Sequence, residues 1–143
     1  MKRSLMLGVT AALTGAVVAM PASAAPPKPM SETYTANGLP DPTPIAGTTC
    51  VPTLPTSRHS KVVTIPAAGT LELRMANATP ALDWSVAILD SKGRMLGCTD
   101  GGTPETVEVV KVKIKTAGKY TLASNNFAGT PTCTMKWTYT PAK

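Results

Sequence analysis

The chain has 143 residues, of which 43% are hydrophobic and 4% aromatic, and its formal net charge at pH 7 is +6. This length allows one folded domain, and the charge is too mild to require a polyanionic partner. Three cysteines and one histidine are scattered along the chain, which excludes a zinc site with the usual short ligand spacings.

The N-terminal residues predict a signal peptide over residues 1–24. Lys2 and Arg3 form a basic start, residues 5–20 are apolar or small without a charge, and residues 21–25 are the small residues that a signal peptidase recognises. A membrane anchor is disfavoured because a spanning helix needs roughly 20 apolar residues. We expect a secreted, extracellular protein without a membrane span, whose net charge falls to +4 once Lys2 and Arg3 are removed.

Residues 25–47 form a proline-rich lead-in to the domain. Proline lacks the N–H that regular structure needs, so this segment is expected to be extended and disordered. The folded domain is expected over residues 48–143. The prolines of the lead-in are Pro26, Pro27, Pro29, Pro40, Pro42 and Pro44.

Beyond the lead-in, apolar and polar residues alternate with a period of two, which is typical of half-buried strands. The pattern predicts an all-β fold, an antiparallel two-sheet β-sandwich of the jelly-roll type with seven to eight strands. The predicted strands cover residues 61–65, 70–76, 83–89, 94–98, 106–115, 118–124 and 133–139.

Two local features refine this pattern. Asp90-Ser91-Lys92-Gly93 is typical of a tight hairpin turn, in which glycine adopts a positive φ at low steric cost. Within residues 106–115 the apolar face changes parity between Val109 and Val110, which predicts a β-bulge or a strand break there.

Four segments of the chain resemble the bacterial pre-peptidase C-terminal (PPC) domain. They are residues 63–71 (VTIPAAGTL), 83–86 (DWSV), 90–93 (DSKG) and 117–121 (AGKYT), and the resemblance covers residues 58–140. It implies a jelly-roll-type sandwich of the kind appended to secreted proteases and other exported proteins. Members of that family often have Asp-Trp-Asp where this chain has Asp83-Trp84-Ser85, so a cation role does not transfer to this position.

The three cysteines leave three pairings open. Cys98 and Cys133 share the parity of core residues in their strands, and an exported protein is expected to oxidise neighbouring thiols, so this disulfide is favoured. Cys50 is the alternative partner for either residue.

Two groups of residues are candidates for ligand contact. Asn125, Asn126 and Phe127 lie in the predicted loop 125–131, where binding groups often occur. Lys111, Lys113 and Lys115 lie about 7 Å apart on one exposed strand face, where they are able to bind a sulfated polysaccharide or a phosphate surface. The favoured alternative is that these lysines prevent edge-to-edge aggregation of strands. No aromatic residues lie between them, so a nucleic-acid partner is not expected.

The ionisable residues do not form a convincing catalytic or metal site. His59 has no Gly-x-Ser-x-Gly motif to partner it, so no catalytic residue is assigned. Asp83 with Asp100 is the one candidate for a weak calcium site, although turn aspartates more often bond their own backbone. We expect no metal and no cofactor.

The sequence therefore predicts a secreted, non-catalytic and monomeric β-sandwich module that binds an unknown protein or glycan. Recognition is expected to use the loops at 77–82, 99–105 and 125–131. The alternatives are a secreted protease inhibitor, an envelope structural protein and an enzyme.

Overall fold

The structure is a computed structural model that describes residues 25–48, 50–76, 82–100 and 107–143. The predicted signal peptide lies outside these residues, and so does nearly all of the candidate loops at 77–82 and 99–105. The described strands are β1 (Met30–Asn37), β2 (Arg58–Ile65), β3 (Gly69–Met75), β4 (Leu82–Leu89), β5 (Met95–Thr99), β6 (Val109–Ile114), β7 (Gly118–Gly129) and β8 (Thr132–Pro141).

The eight strands form two antiparallel sheets, which confirms the predicted all-β sandwich. The first sheet has the order β1-β8-β3-β6 and the second has the order β2-β7-β4-β5. Among the described strands, β4 and β5 are the only consecutive pair in one sheet, and every other connection crosses between the sheets. Such crossing connections are typical of jelly-roll sandwiches.

The core lies between the inward faces of the two sheets. Leu71, Leu73 and Met75 of β3 are fully buried, and Trp84 and Ile88 of β4 lie in the same cluster. Every second side chain of a strand faces the same way, so the alternation in the sequence places these residues on one face. Burial of this apolar surface is the main force that holds the sheets together.

The prediction that residues 25–47 are disordered is wrong for Met30–Asn37. This segment forms β1 and pairs with β8 over its whole length. The prolines of the lead-in lie before and after the strand, where no ladder hydrogen bond is lost. The inward-facing Tyr34 and Ala36 pack on the core. Because most other residues of the strand are polar, the sequence shows too little apolar alternation to predict a strand here.

The parity change at Val109 has a simple structural origin. β6 begins at Val109, which pairs with Arg74, and the pairing continues to Val110 without a shift. The prediction of a bulge or break between Val109 and Val110 is therefore wrong, because the strand starts at this point. Glu108 lies before the strand and is buried, and its carbonyl oxygen accepts a hydrogen bond from the Met75 N–H at 3.0 Å.

The segment between β1 and β2, residues 38–57, is called the strap because it covers the outer face of the second sheet. Its Cys50 forms a disulfide with Cys98 of β5, with a Cα–Cα distance of 6.1 Å. Beneath it, Ser85 and Ala87 are fully buried although they point away from the core. Arg58 also holds the strap, because its guanidinium donates hydrogen bonds to carbonyl oxygens of the strap.

The favoured disulfide, Cys98–Cys133, is wrong, and the alternative partner Cys50 is the correct one. Cys98 pairs with Ala87 on the strap side of the second sheet, whereas Cys133 lies in the first sheet and faces the core. Cys133 is a free thiol and is 3% exposed. The alternation along a strand shows which residues share one face. It does not show whether that face meets the core or a covering segment.

No helix among the described residues is both long enough and apolar enough to span a membrane.

Candidate functional site

A groove lies at the end of the sandwich where the β4–β5 turn meets the β6–β7 turn. It consists of two adjoining depressions of about 300 and 230 Å³ that share Asp90, Arg94, Thr116 and Tyr120. We call it the basic groove, because its lining contains five cationic residues and only one carboxylate among the described residues. The cations are Lys92, Arg94, Lys113, Lys115 and Lys119, and the carboxylate belongs to Asp90.

The hairpin turn at residues 90–94 forms one wall of the groove. The Gly93 N–H donates to the Asp90 carbonyl oxygen at 3.0 Å, and the φ of Gly93 is 77°, a conformation that favours glycine. Oδ1 of Asp90 accepts the backbone N–H groups of Lys92 and Arg94, each at 2.9 Å. The predicted turn is therefore confirmed. The bonds from the Asp90 side chain hold the backbone of Lys92 and Arg94 in place and so position their side chains at the groove.

Asp90 also positions the Arg94 guanidinium. Its Oδ2 lies 2.7 Å from Nη2 of Arg94 and accepts a second bond from Nε. The hydrogen bonds from the Arg94 backbone and side chain hold the pKa of Asp90 below its usual range. Asp90, the one carboxylate among the described residues that line the groove, therefore stays ionised and already has partners. No ion pair among the described residues compensates the four lysines of the lining.

The floor of the groove is apolar. Ile114 and Tyr120 are nearly buried, whereas Leu96 is 42% exposed. The Tyr120 hydroxyl donates to the Thr116 carbonyl oxygen at 2.8 Å, so it points at the wall and not at a ligand. An apolar floor with charged groups at its rim is the usual arrangement of a small-ligand site.

The three lysines predicted to share one strand face divide between two places, and Lys115 follows the end of β6. Lys113 and Lys115 line the groove, whereas Lys111 pairs with Glu72 at 2.9 Å on the outer face of the first sheet. β6 is an edge strand, which also fits the alternative role of these lysines in preventing aggregation. Sequence reasoning missed Lys92 and Arg94 as site residues, although the turn motif that contains them was evident.

The prediction that Asn125, Asn126 and Phe127 contact a ligand from a loop is wrong. All three lie in β7 and are buried. Nδ2 of Asn126 donates to the carbonyl oxygens of Gly38 and Thr130 at 2.7 and 3.0 Å. The register of β7 against β4 shifts at Phe127, and a bulge of this kind lets adjacent residues both be buried.

Asp83 and Asp100 lie close enough to interact electrostatically. Burial, and then the negative charge of Asp100, raise the pKa of Asp83. Within the described ranges, no group of three or more His, Cys, Asp and Glu side chains is arranged to hold a metal ion. The weak calcium site considered as an alternative for this pair therefore has two carboxylates and no third ligand of these types in the described part of the chain.

His59 lies at the seam between the edge strands β1 and β2. Its Nδ1 accepts the Asn37 N–H at 3.3 Å, and its ring stacks on Tyr34 with centroids 5.7 Å apart. Lys61 pairs with Glu32 at 2.8 Å and lies 5.2 Å from the Tyr34 ring centroid. Burial, and then the charge of Lys61, lower the pKa of His59. These contacts give the histidine a structural role at the seam.

No protein-family model matches this chain, and no curated protein matches it. Among solved structures, it is similar to a carbohydrate-binding module (CBM6cm-2) from Cellvibrio mixtus lichenase 5A in complex with cellotriose. That match has a TM-score of 0.40 and 17% identity, and it covers 59% of this chain and 71% of the other.

A second similar structure is the C-terminal CBM6 of LamC, a marine laminarinase from Zobellia galactanivorans. It has a TM-score of 0.39 and 14% identity, over 58% of this chain and 72% of the other. The infectious bursal disease virus Gx strain structure matches with a TM-score of 0.34 and 14% identity, over 87% of this chain and 36% of the other. These likenesses concern the sandwich architecture and carry no information about a ligand.

Proposed function

We propose that this chain is an exported, non-catalytic β-sandwich module that binds acidic sugars of a glycan in the basic groove. The observation that carries the proposal is the convergence of five cations around an apolar floor, with one carboxylate that is already bound to Arg94. The cations come from three separate parts of the chain, the turns at 90–94 and 115–119 and the end of β6.

The chemistry of the groove matches an acidic sugar. A pyranose ring has an apolar face that packs on the exposed Leu96, while a carboxylate or sulfate group on the ring reaches Lys113, Lys115 or Arg94. Each exposed ion pair contributes up to about 1 kcal/mol, so several are needed for useful affinity. The modest net charge of the chain hides this local concentration of cations.

A nucleic-acid ligand is disfavoured because single-stranded nucleic acids stack on exposed aromatic rings. Within the described residues, the large aromatic side chains other than Tyr34 are buried. These residues are Trp84, Tyr120, Phe127, Trp137 and Tyr139.

Three observations support export and a role as a module. The Cys50–Cys98 disulfide is typical of an oxidising compartment. The predicted signal peptide over residues 1–24 agrees with it, and the PPC resemblance is to domains of exported proteins. Both the secreted location and the monomeric state are part of this proposal. The roles of protease inhibitor and envelope structural protein remain predictions without a supporting contact in the described residues.

Calorimetric titration of the secreted protein with trigalacturonate and with neutral cellotriose tests the proposal. We expect binding of the acidic trisaccharide only. Lys113→Gln/Lys115→Gln should weaken it by about tenfold, because two exposed ion pairs are lost. The matched control, Arg74→Gln/Lys136→Gln, removes two cations outside the groove and should leave the affinity unchanged. Equal binding of both sugars, or equal loss in both variants, would contradict the proposal.

A further inference from the structure

The outer face of the first sheet carries hydroxyl and cationic side chains. It is the face of β1, β8, β3 and β6 that points away from the core. Its hydroxyls include Thr33, Thr35, Thr134 and Thr140, which are exposed, and Thr70 and Thr138, which are half-buried. β3, β6 and β8 contribute none of the exposed large apolar side chains of the described residues. Apart from the half-buried Val109, the face is therefore mainly polar.

Two cations on this face are placed directly opposite each other. Arg74 of β3 and Lys136 of β8 are cross-strand partners, and both are exposed. Like charges in directly opposite positions destabilise a sheet. No carboxylate of the described residues forms an ion pair with either side chain, whereas Lys111 in the next row pairs with Glu72. The Arg74 Nε does donate to the Met75 carbonyl oxygen at 3.4 Å, but the described residues offer no opposite charge to the pair. A charge arrangement that costs stability is characteristic of a functional surface.

The face is continuous with the basic groove through Lys113. Lys113 lines the groove, and its cross-strand partner is Thr70, which in turn is opposite Thr140. Arg74 lies four residues along β3 from Thr70, a distance of about 13 Å in a strand. The Thr138 hydroxyl and the Lys111–Glu72 pair lie between these two positions. One extended polymer is therefore able to contact Lys113 and the Arg74–Lys136 pair at the same time.

We infer that this face is a second binding surface, on which an acidic polysaccharide continues from the basic groove across β3 and β8 to the Arg74–Lys136 pair. The inference rests on the proposed function of the groove. The anionic groups of the polymer lie between the two opposed cations and remove their repulsion. The threonine hydroxyls donate to and accept from the sugar hydroxyls between the charged positions.

A polysaccharide fits this face better than an anionic membrane does. Membrane-surface binding combines cations with apolar side chains that enter the lipid, and β3, β6 and β8 expose no large apolar side chain among the described residues. A sheet face with hydroxyl side chains on neighbouring strands matches an extended chain of sugars, each of which offers several hydroxyl groups.

The test compares trigalacturonate with dodecagalacturonate on the wild-type protein and on two variants. After correction for the number of overlapping sites, the wild type should bind the dodecamer at least tenfold more tightly than the trimer. Arg74→Gln/Lys136→Gln should bind the trimer like the wild type and lose the gain for the dodecamer. Lys113→Gln/Lys115→Gln should weaken the binding of both ligands.

Each contrary outcome identifies which claim fails. If Arg74→Gln/Lys136→Gln keeps the gain for the dodecamer, the second surface is refuted while the groove stands. If the wild type binds neither ligand, the proposed function itself is refuted. If it binds phosphatidylglycerol vesicles through Arg74 and Lys136 but gains nothing from the longer sugar, the face is a lipid surface and the inference is overturned.

Discussion

Nδ2 of Asn125 in β7 donates a hydrogen bond to the carbonyl oxygen of Cys50, at 2.8 Å. Both atoms are buried between the strap and the outer face of the second sheet, and the Ser85 hydroxyl donates to the same carbonyl. The strap is thus attached beside its disulfide by two side chains of neighbouring strands. This contact explains why two polar residues are buried on a face that points away from the core.

Asn125→Ala should lower the free energy of unfolding by about 1–3 kcal/mol, because the Cys50 carbonyl loses one donor in a site that water does not reach. Urea denaturation of the oxidised protein measures this change. Asn37→Ala is the matched control, since it removes the same side chain from an exposed position and should change stability by less than about 0.5 kcal/mol. Equal stability of Asn125→Ala and the wild type would contradict the role of the contact.

The disulfide connectivity predicts a distinct pattern of thiol reactivity. Cys50→Ser/Cys98→Ser should lose about 4 kcal/mol of stability, because the bond closes a loop between residues 48 positions apart. Cys133→Ala should keep the disulfide. Burial raises the pKa of the Cys133 thiol to about 11, so native protein should resist iodoacetamide at neutral pH and unfolded protein should accept one label. Peptide mapping that finds a Cys98–Cys133 peptide would refute this connectivity.

His59 should make stability fall as the pH falls. Its folded-state pKa lies below the ordinary value of 6.5, so the unfolded chain binds the proton first. Stability is then fully present above pH 6.5 and is lost progressively as the pH falls through 6.5 towards the lower folded-state pKa. Denaturation of the wild type and of His59→Gln across pH 5–8 isolates this contribution. If the difference in stability between the wild type and His59→Gln stayed constant from pH 5 to pH 8, this contribution of His59 would be contradicted.

The opposed cations of the outer face predict a stabilising substitution. Lys136→Glu replaces a like-charge pair with an opposite-charge pair across β3 and β8, which should raise the free energy of unfolding by about 0.2–1 kcal/mol. Thermal denaturation at low salt measures the gain, and high salt should reduce it. Lys28→Glu, which makes the same change at an exposed position before β1, controls for the effect of net charge. A loss of stability in Lys136→Glu would show that the pair carries no repulsion.

Period-two alternation was sufficient to predict seven of the strands. A strand that buries one face has apolar residues at every second position, and this pattern is visible in the sequence. β1 was missed because only Tyr34 and Ala36 of its inward residues are apolar enough to be noticed. Asn125 and Asn126 favour turns as isolated residues, but here the strap and a bulge provide buried partners for them. Local preference was overridden by tertiary contacts at these positions.

The basic groove was only half predictable. The spacing of Lys113 and Lys115 placed them on one strand, but their neighbours Lys92 and Arg94 come from a hairpin in the other sheet. Only the packing of β5 against β6 brings the two groups together. The disulfide was predicted wrongly for the same reason. A bond between the strap and a strand depends on which face of the sheet the strap covers, and the sequence pattern does not show this.

The most direct test of the central claim is to map the binding site by nuclear magnetic resonance. Isotope-labelled mature protein is titrated with trigalacturonate, and the amide shifts are followed residue by residue. Binding in the basic groove should shift the amides of residues 90–96 and 113–120, which should saturate together and disappear at high salt. Shifts concentrated on the strap or on the loops at 77–81 and 101–106, with residues 113–120 unmoved, would contradict it.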